Sequence, residues 1–128
     1  MRVLLDTHTF LWFITADPKL SSPAQQTLAA GSNQLLMSLA SVWEIAIKVG
    51  TGRLPISASL DTFIPEQLRS NRIELLPIVM EHTFEVARLP LHHRDPFDRI
   101  IIAQAIREGM PLVSADEAFD AYPIHRIW

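Results

Sequence analysis

The chain contains no cysteine, which removes both a disulfide framework and any thiolate metal site, and fits a reducing cytoplasm. Long apolar runs are also missing. The stretch Phe10 to Ile14 is far shorter than the roughly 20 residues a membrane span needs, and the N-terminus has no basic-then-apolar leader. A cytoplasmic protein with no membrane contact is therefore expected. There is no excess of positive charge: 11 Lys and Arg face 14 Asp and Glu, for a net charge of −3. This argues mildly against a nucleic-acid partner. Linkers, repeats and low-complexity segments are absent, so the 128 residues read as a single domain, 1–128, long enough to bury one core. Several catalytic signatures are lacking too. No Gly-x-Ser-x-Gly, Walker or Gly-x-Gly-x-x-Gly pattern occurs. A haloacid-dehalogenase-type phosphatase needs an Asp two residues after Asp6, where His8 stands. A receiver-type phosphoacceptor needs a mid-chain strand ending in Asp, which Ile73 to Pro77 does not supply.

What is present is an ordinary globular composition, 48% hydrophobic and 20% charged, with strand and helix patterns in alternation. Val3–Leu5 reads as a buried strand and Thr7–Ala16 as a helix stopped by Asp17-Pro18. Ser22-Pro23 opens a second helix closed by Gly31. Leu35–Met37 is a strand, followed by a helix from Ser38 or Ser41 to about Val49. Ser57–Ser70 reads as a helix interrupted near Pro65. Glu74–Leu76 is a strand, Glu81–Arg88 a helix, and Asp95-Pro96 starts a helix ending at Gly109. Pro111–Ser114, a helical turn Asp116–Ala121 and a strand Ile124–Ile127 complete the chain. Such alternation implies an α/β fold with a parallel sheet, whose ligands lie beyond the strands' carboxyl ends.

Four acids stand out against that frame. Asp6 ends the first strand and Asp116 follows a late one; each fits a helix N-cap as well as a site. Asp98 lies above Ile101, Ile102 and Ala105, so its helix turns it inward although Asp95-x-x-Asp98 also resembles a capping box. Glu44 reads as solvated: Val42, Ile45, Ala46 and Val49 form the apolar face, with Trp43 and Ile47 widening it, and Glu44 pairs with Lys48 across one turn on the opposite side. Ser41 and Glu44 also have capping-box spacing. Hard divalent cations favour such oxygen donors. His8, His82, His92, His93 and His125 have no helical metal-ligand spacing and read as loop and surface residues. With the four acids set aside, ten acids face eleven basic residues, so net charge decides nothing about an RNA partner.

These segments resemble the PIN-domain family, and within it the VapC-type toxins of toxin–antitoxin pairs. The resemblance lies in Leu4-Leu5-Asp6-Thr7-His8, in Ser41-Val42-Trp43-Glu44 running to Lys48 with Gly52-Arg53-Leu54-Pro55, in Leu89-Pro90-Leu91-His92-His93-Arg94-Asp95-Pro96-Phe97-Asp98 running to Ala105, and in Leu112-Val113-Ser114-Ala115-Asp116. It implies a three-layer PIN-like fold, a central mainly parallel sheet flanked by helices. It also implies a metal-dependent endoribonuclease with Asp6, Glu44, Asp98 and Asp116 as its acids, which overrides the solvated reading of Glu44. Asp6, Asp98 and Asp116 would hold Mg2+, with Mn2+ as the alternative, and Thr7, Ser114, Asp95 and Lys48 would support them. Ser114 stands where many relatives have Thr. The implied partners are an RNA substrate, an antitoxin and a second copy of the chain. The competing expectation is a catalytically silent PIN-like module that binds RNA or protein without cutting. The all-round apolar helix carrying Phe10 to Ile14 is expected to leave Trp12 or Phe13 exposed for a partner.

Overall fold

The structure, a computed structural model, describes residues 1–128. Strands β1 (Arg2–Leu5), β2 (Gln34–Ser38), β3 (Ile73–Leu76), β4 (Leu112–Val113) and β5 (Arg126–Ile127) form one sheet in the order β3-β2-β1-β4-β5. Every pairing is parallel. Parallel neighbours cannot be joined by a hairpin, so each connection crosses a face of the sheet. Helices α1 (Thr7–Ile14) and α2 (Ser22–Ala29) link β1 to β2, and α3 (Leu39–Gly50) and α4 (Leu60–Ser70) link β2 to β3. Helices α5 (Met80–Arg88) and α6 (Pro96–Glu108) lead to β4, and a 3₁₀ turn (Glu117–Ala121) leads to β5.

Alternation along the strands divides the core in two. Val3, Leu5, Leu35, Met37 and Val113 pack on one side with Phe10, Leu28, Ile45 and Ile64. Leu4, Leu36 and Leu112 pack on the other with Ile101, Ile102, Ala105 and Phe119. Each Val, Leu, Ile, Phe or Met side chain among these, removed from water, contributes about 1.5–3 kcal/mol. The result is a three-layer α/β/α fold.

The strand order places the functional edge. The chain moves outward from β1 through β2 to β3, then returns to the other side of β1 with β4. The switch point lies between β1 and β4, where a crevice opens beyond the strands' carboxyl ends. Leu5 is paired with Val113 there, and the Asp6 N–H donates to the Val113 carbonyl at 3.2 Å. Helix α6 stops where Gly109 takes φ +64°, a left-handed conformation costly for residues with a Cβ.

Several local expectations change. The helix around Pro65 is not interrupted: α4 runs unbroken from Leu60 to Ser70. Pro65 removes one early N–H bond, and the amphipathic face that buries Ile64 offsets that loss. The cap of α2 is Ser21, whose Oγ accepts from Ala24 N–H at 3.2 Å, not Ser22. Helix α3 is capped by Ser38, so Ser41 is no cap. Helix α1 does not expose Trp12 or Phe13. Phe10 is fully buried, and Leu11 to Ile14 are half-buried in a cluster shared with Leu54, Ile56 and Trp128. Trp12 stacks obliquely on Trp128 at 5.8 Å. The exposed apolar groups lie elsewhere: Leu39, Trp43 and Ile47 on α3, and Met80 and Phe84 on α5.

Candidate active site

Asp6 fills the cap role its position offered and has its second oxygen engaged across the sheet. One carboxylate oxygen, Oδ1, accepts from Thr9 N–H at 2.8 Å and caps α1. The other, Oδ2, accepts from the Ser114 hydroxyl at 2.5 Å. Ser114 Oγ in turn accepts from Asp116 N–H at 3.0 Å, so one hydroxyl ties the end of β1 to the segment after β4. Asp116 divides its oxygens likewise: Oδ1 accepts from Ala118 N–H, and Oδ2 faces the crevice.

Glu44 is not on an open face. Trp43, Ala46 and Ile47 are exposed, while Ser41 and Ile45 are buried and Glu44 flanks that buried stripe. The apolar face read from the sequence is thus rotated: α3 packs between α1 and α6, and Trp43 and Ile47 stay exposed. Thr7 Oγ1 lies 2.6 Å from Glu44 Oε1 and 2.9 Å from Ser41 Oγ. A hydroxyl has one proton, so Thr7 donates to the carboxylate and accepts from Ser41. Lys48 Nζ holds Glu44 Oε2 at 3.1 Å.

Asp98 sits in the first turn of α6, after the cap Asp95, whose Oδ1 accepts from Phe97 and Asp98 N–H. Its Oδ2 lies 3.1 Å from His93 Nε2, which is also 3.4 Å from Asp116 Oδ2. The ligand atoms of His93, Asp98 and Asp116 all fall within 4.8 Å of one another. His93, a loop residue by its sequence setting, is brought by the fold into the acids. Its Nδ1 accepts a long bond from Asp95 N–H at 3.4 Å, which leaves the ring proton on Nε2, facing the carboxylates. The surrounding loop is shaped by Arg99, which donates to the carbonyls of Val86, Leu89, Pro90 and His93, and by Tyr122, whose hydroxyl accepts from His93 N–H. Neither clamp has a spacing signal, since its partners are backbone groups of an irregular loop.

Burial, then the charge of Asp95, pushes the Asp98 carboxyl up to about 7; Glu44 and Asp6 add to this and His93 opposes it. Asp6 is raised as well, chiefly by burial, against the bonds from Ser114 and Thr9. Asp6, Glu44, Asp95, Asp98 and Asp116 therefore crowd one edge, with Lys48, His93 and, beside Asp6, His8 as the adjacent basic groups. Oxygen donors held by caps and hydroxyls, with surplus negative charge, fit a hard divalent cation. A cavity of about 490 Å3 lies beside the acids and is lined by their sequence neighbours Trp43 and Phe97, with no carboxylate in its wall.

The molecule is a doubly wound α/β domain whose switch-point crevice is lined with acids. Sequence comparison gives the family: the PIN domain model matches residues 3–124, and the chain belongs to the PIN domain family. No curated protein matches it. Among solved structures, the chain resembles one from a VapBC2 complex of Rickettsia felis bound to a promoter DNA fragment, with TM-score 0.73, 19% identity and 100% of both chains covered. It also resembles one from VapBC-1 of nontypeable Haemophilus influenzae, with TM-score 0.68, 18% identity and 98% and 96% of the two chains covered. A third similarity is to FitAcB of Neisseria gonorrhoeae, with TM-score 0.62, 17% identity and coverage of 97% and 95%. At such identities these likenesses speak for the fold. No helix is long and apolar enough to cross a membrane.

Proposed function

We propose that this protein is a metal-dependent endoribonuclease acting in the cytoplasm as the toxin of a toxin–antitoxin pair. The observation that carries the reading is the unbalanced charge of the crevice, with Asp98 raised to about 7 among other acids. PIN domains are generally nucleases acting on phosphodiester bonds, which agrees with such a site. Asp6, Asp98 and Asp116 would hold the cation. Mg2+, or Mn2+, when bound acidifies a water and neutralises charge on the phosphate. Thr7 and Lys48 each hold one oxygen of Glu44, so this carboxylate is oriented to position the attacking water. Ser114 fixes Asp6 and Asp116 relative to each other, Asp95 fixes the first turn of α6, and His93 Nε2–H holds Asp98.

The partner side of the reading rests on the exposed apolar stripe. Leu39, Trp43 and Ile47 follow the i, i+4, i+8 spacing of one face of α3, and Trp43 is 60% exposed. Trp43 and Thr83 of α5 line the same cavity, so the α3 and α5 faces are continuous. A second copy of the chain docks on this face, and an antitoxin covers the acid crevice; that one structural relative is a toxin–antitoxin complex from Klebsiella pneumoniae supports an antitoxin partner. Purified protein should cut single-stranded RNA in Mg2+ or Mn2+ and lose this in EDTA. Asp98→Asn should be inactive, while Asp61→Asn, at an exposed position, should match wild type. An Asp98→Asn variant with full metal-dependent cleavage would rule the reading out. Trp43→Glu should lower the sedimentation mass from dimer to monomer.

A further inference from the structure

Beside the acids, on the α1 side, lies a second cleft of about 450 Å3. Its apolar wall includes Leu11, Trp12, Leu54 and Phe63, and no Asp or Glu lines it. Lys48 belongs to this cleft and to the acid crevice at once, through its 3.1 Å contact with Glu44. A tight turn brings a second cation alongside: Gly52 takes φ +74°, and the N–H groups of Arg53 and Leu54 both donate to the Lys48 carbonyl, at 2.8 and 3.2 Å. Arg53 is exposed, its side chain bonds to Thr51 Oγ1 at 3.0 Å, and it forms no ion pair with a carboxylate. The Gly52-Arg53-Leu54-Pro55 segment thus has a place in the molecule that the catalytic acids do not explain.

We propose that this cleft receives the nucleotide of a single-stranded RNA adjacent to the scissile phosphate, with Arg53 and Lys48 against a backbone phosphate and the base on the Trp12 wall. The proposal rests on the nuclease reading above. A polyanion is repelled by the acid crevice, so it must be held by cations just outside it. Arg53 is such a cation without a carboxylate to neutralise it. Cations beside an aromatic, acid-free wall form the combination by which single strands are held without sequence readout. A volume of about 450 Å3 lies within the range of small-ligand clefts and suits one nucleotide.

The test uses the full chain carrying Asp98→Asn, chosen so that RNA is held and not cut, and a short labelled single-stranded RNA followed by fluorescence anisotropy. Adding Arg53→Glu should weaken binding at least about 10-fold, whereas Arg107→Glu, the same charge reversal on an exposed site of α6, should change it less than about 2-fold. Arg53→Ala should reduce the slope of log affinity against log salt by about 0.7, the loss of one single-strand phosphate contact, and Arg53→Lys should restore it. Binding by Arg53→Glu within about 2-fold of its parent would overturn the proposal. Intact RNA binding combined with lost retention of the protein partner would overturn it too, and would assign the cleft to a peptide. The two readings fail separately. A wild-type chain that neither binds nor cuts RNA defeats both, whereas wild-type cleavage matched by Arg53→Glu defeats this proposal alone.

Discussion

Helix α6 serves two polar regions that differ in one respect. At its first turn, Asp98 joins the crevice of acids. Further along, Gln104 and Glu108 meet His82 of α5, which is 1% exposed and so is not the surface residue its sequence setting suggested. His82 Nδ1 accepts from Val79 N–H at 3.1 Å and lies 3.3 Å from Gln104 Nε2; its Nε2 faces Glu108 at 3.4 Å. Gln104 also donates to the Pro77 carbonyl at 3.2 Å, and its own Oε1 has no partner. The His82 region thus resolves into hydrogen bonds that join α5, α6 and the end of β3, with a single acceptor left over. The crevice instead keeps five acids against one lysine and two histidines, His8 and His93. Burial of a titratable group is common to both regions, but only the crevice leaves charge unmatched. Unmatched charge, at a switch point, is what distinguishes a site for a cation and an anionic substrate from a structural polar contact.

The sharpest way to break this contrast is to exchange the behaviour of the two regions by mutation. Asp98→Asn or Asp6→Asn should reduce RNA cleavage by roughly 10³-fold or more, in a gel assay, with an unchanged circular dichroism spectrum. His82→Ala should do the reverse. It leaves the Val79 N–H and Gln104 without a buried partner and opens a cavity, for a loss of about 2–4 kcal/mol in urea unfolding, with cleavage per folded molecule retained. Retained stability in His82→Ala would erase the distinction from one side.

The third test is pH. An aspartate whose value in the fold lies above its ordinary 3.8 keeps its proton between about pH 4 and 7 while the unfolded chain has lost it. The contribution to stability is therefore fully present at about pH 4 and is lost as pH rises through about 7. In EDTA the Tm of wild type should fall across this window, Mg2+ should suppress the fall, and Asp98→Asn should flatten it, gaining about 1–2 kcal/mol at pH 7.5 after solvent screening is allowed for. A fall of equal size in Asp98→Asn would move the effect to another group. The smallest expected change is that of Ser114→Ala, which frees Asp6 Oδ2 and the Asp116 backbone. It should weaken Mn2+ binding by about 10-fold in calorimetry with a Tm near wild type.

Much of the fold was legible because its signals are local. Buried parallel strands appear as short apolar runs, and Gly109 and the Asp95-Pro96 pair mark the ends of α6. Pro65 misled for the same reason: a local rule predicted a break, and packing of the amphipathic face overrode it. The crevice was legible only in part. Asp6, Asp98 and Asp116 stand at element junctions, where a parallel sheet gathers residues, but position alone left each suspended between cap and site. In the fold, Asp6 and Asp116 each use one oxygen as a cap and keep the other for Ser114 or His93.

The sequence by itself determined the order of strands and helices, the parallel class of the sheet and the junctions that carry acids, since these follow from apolar periodicity and capping within a few residues. Only the tertiary structure decided which way α3 turns Glu44, which of the adjacent His92 and His93 enters the acids, and that Trp12 is covered while Trp43 is not. Those outcomes depend on how helices rotate against one sheet and how Arg99 and Tyr122 bend a loop. Such long-range packing energies are shared among many residues, so no short stretch of sequence encodes them.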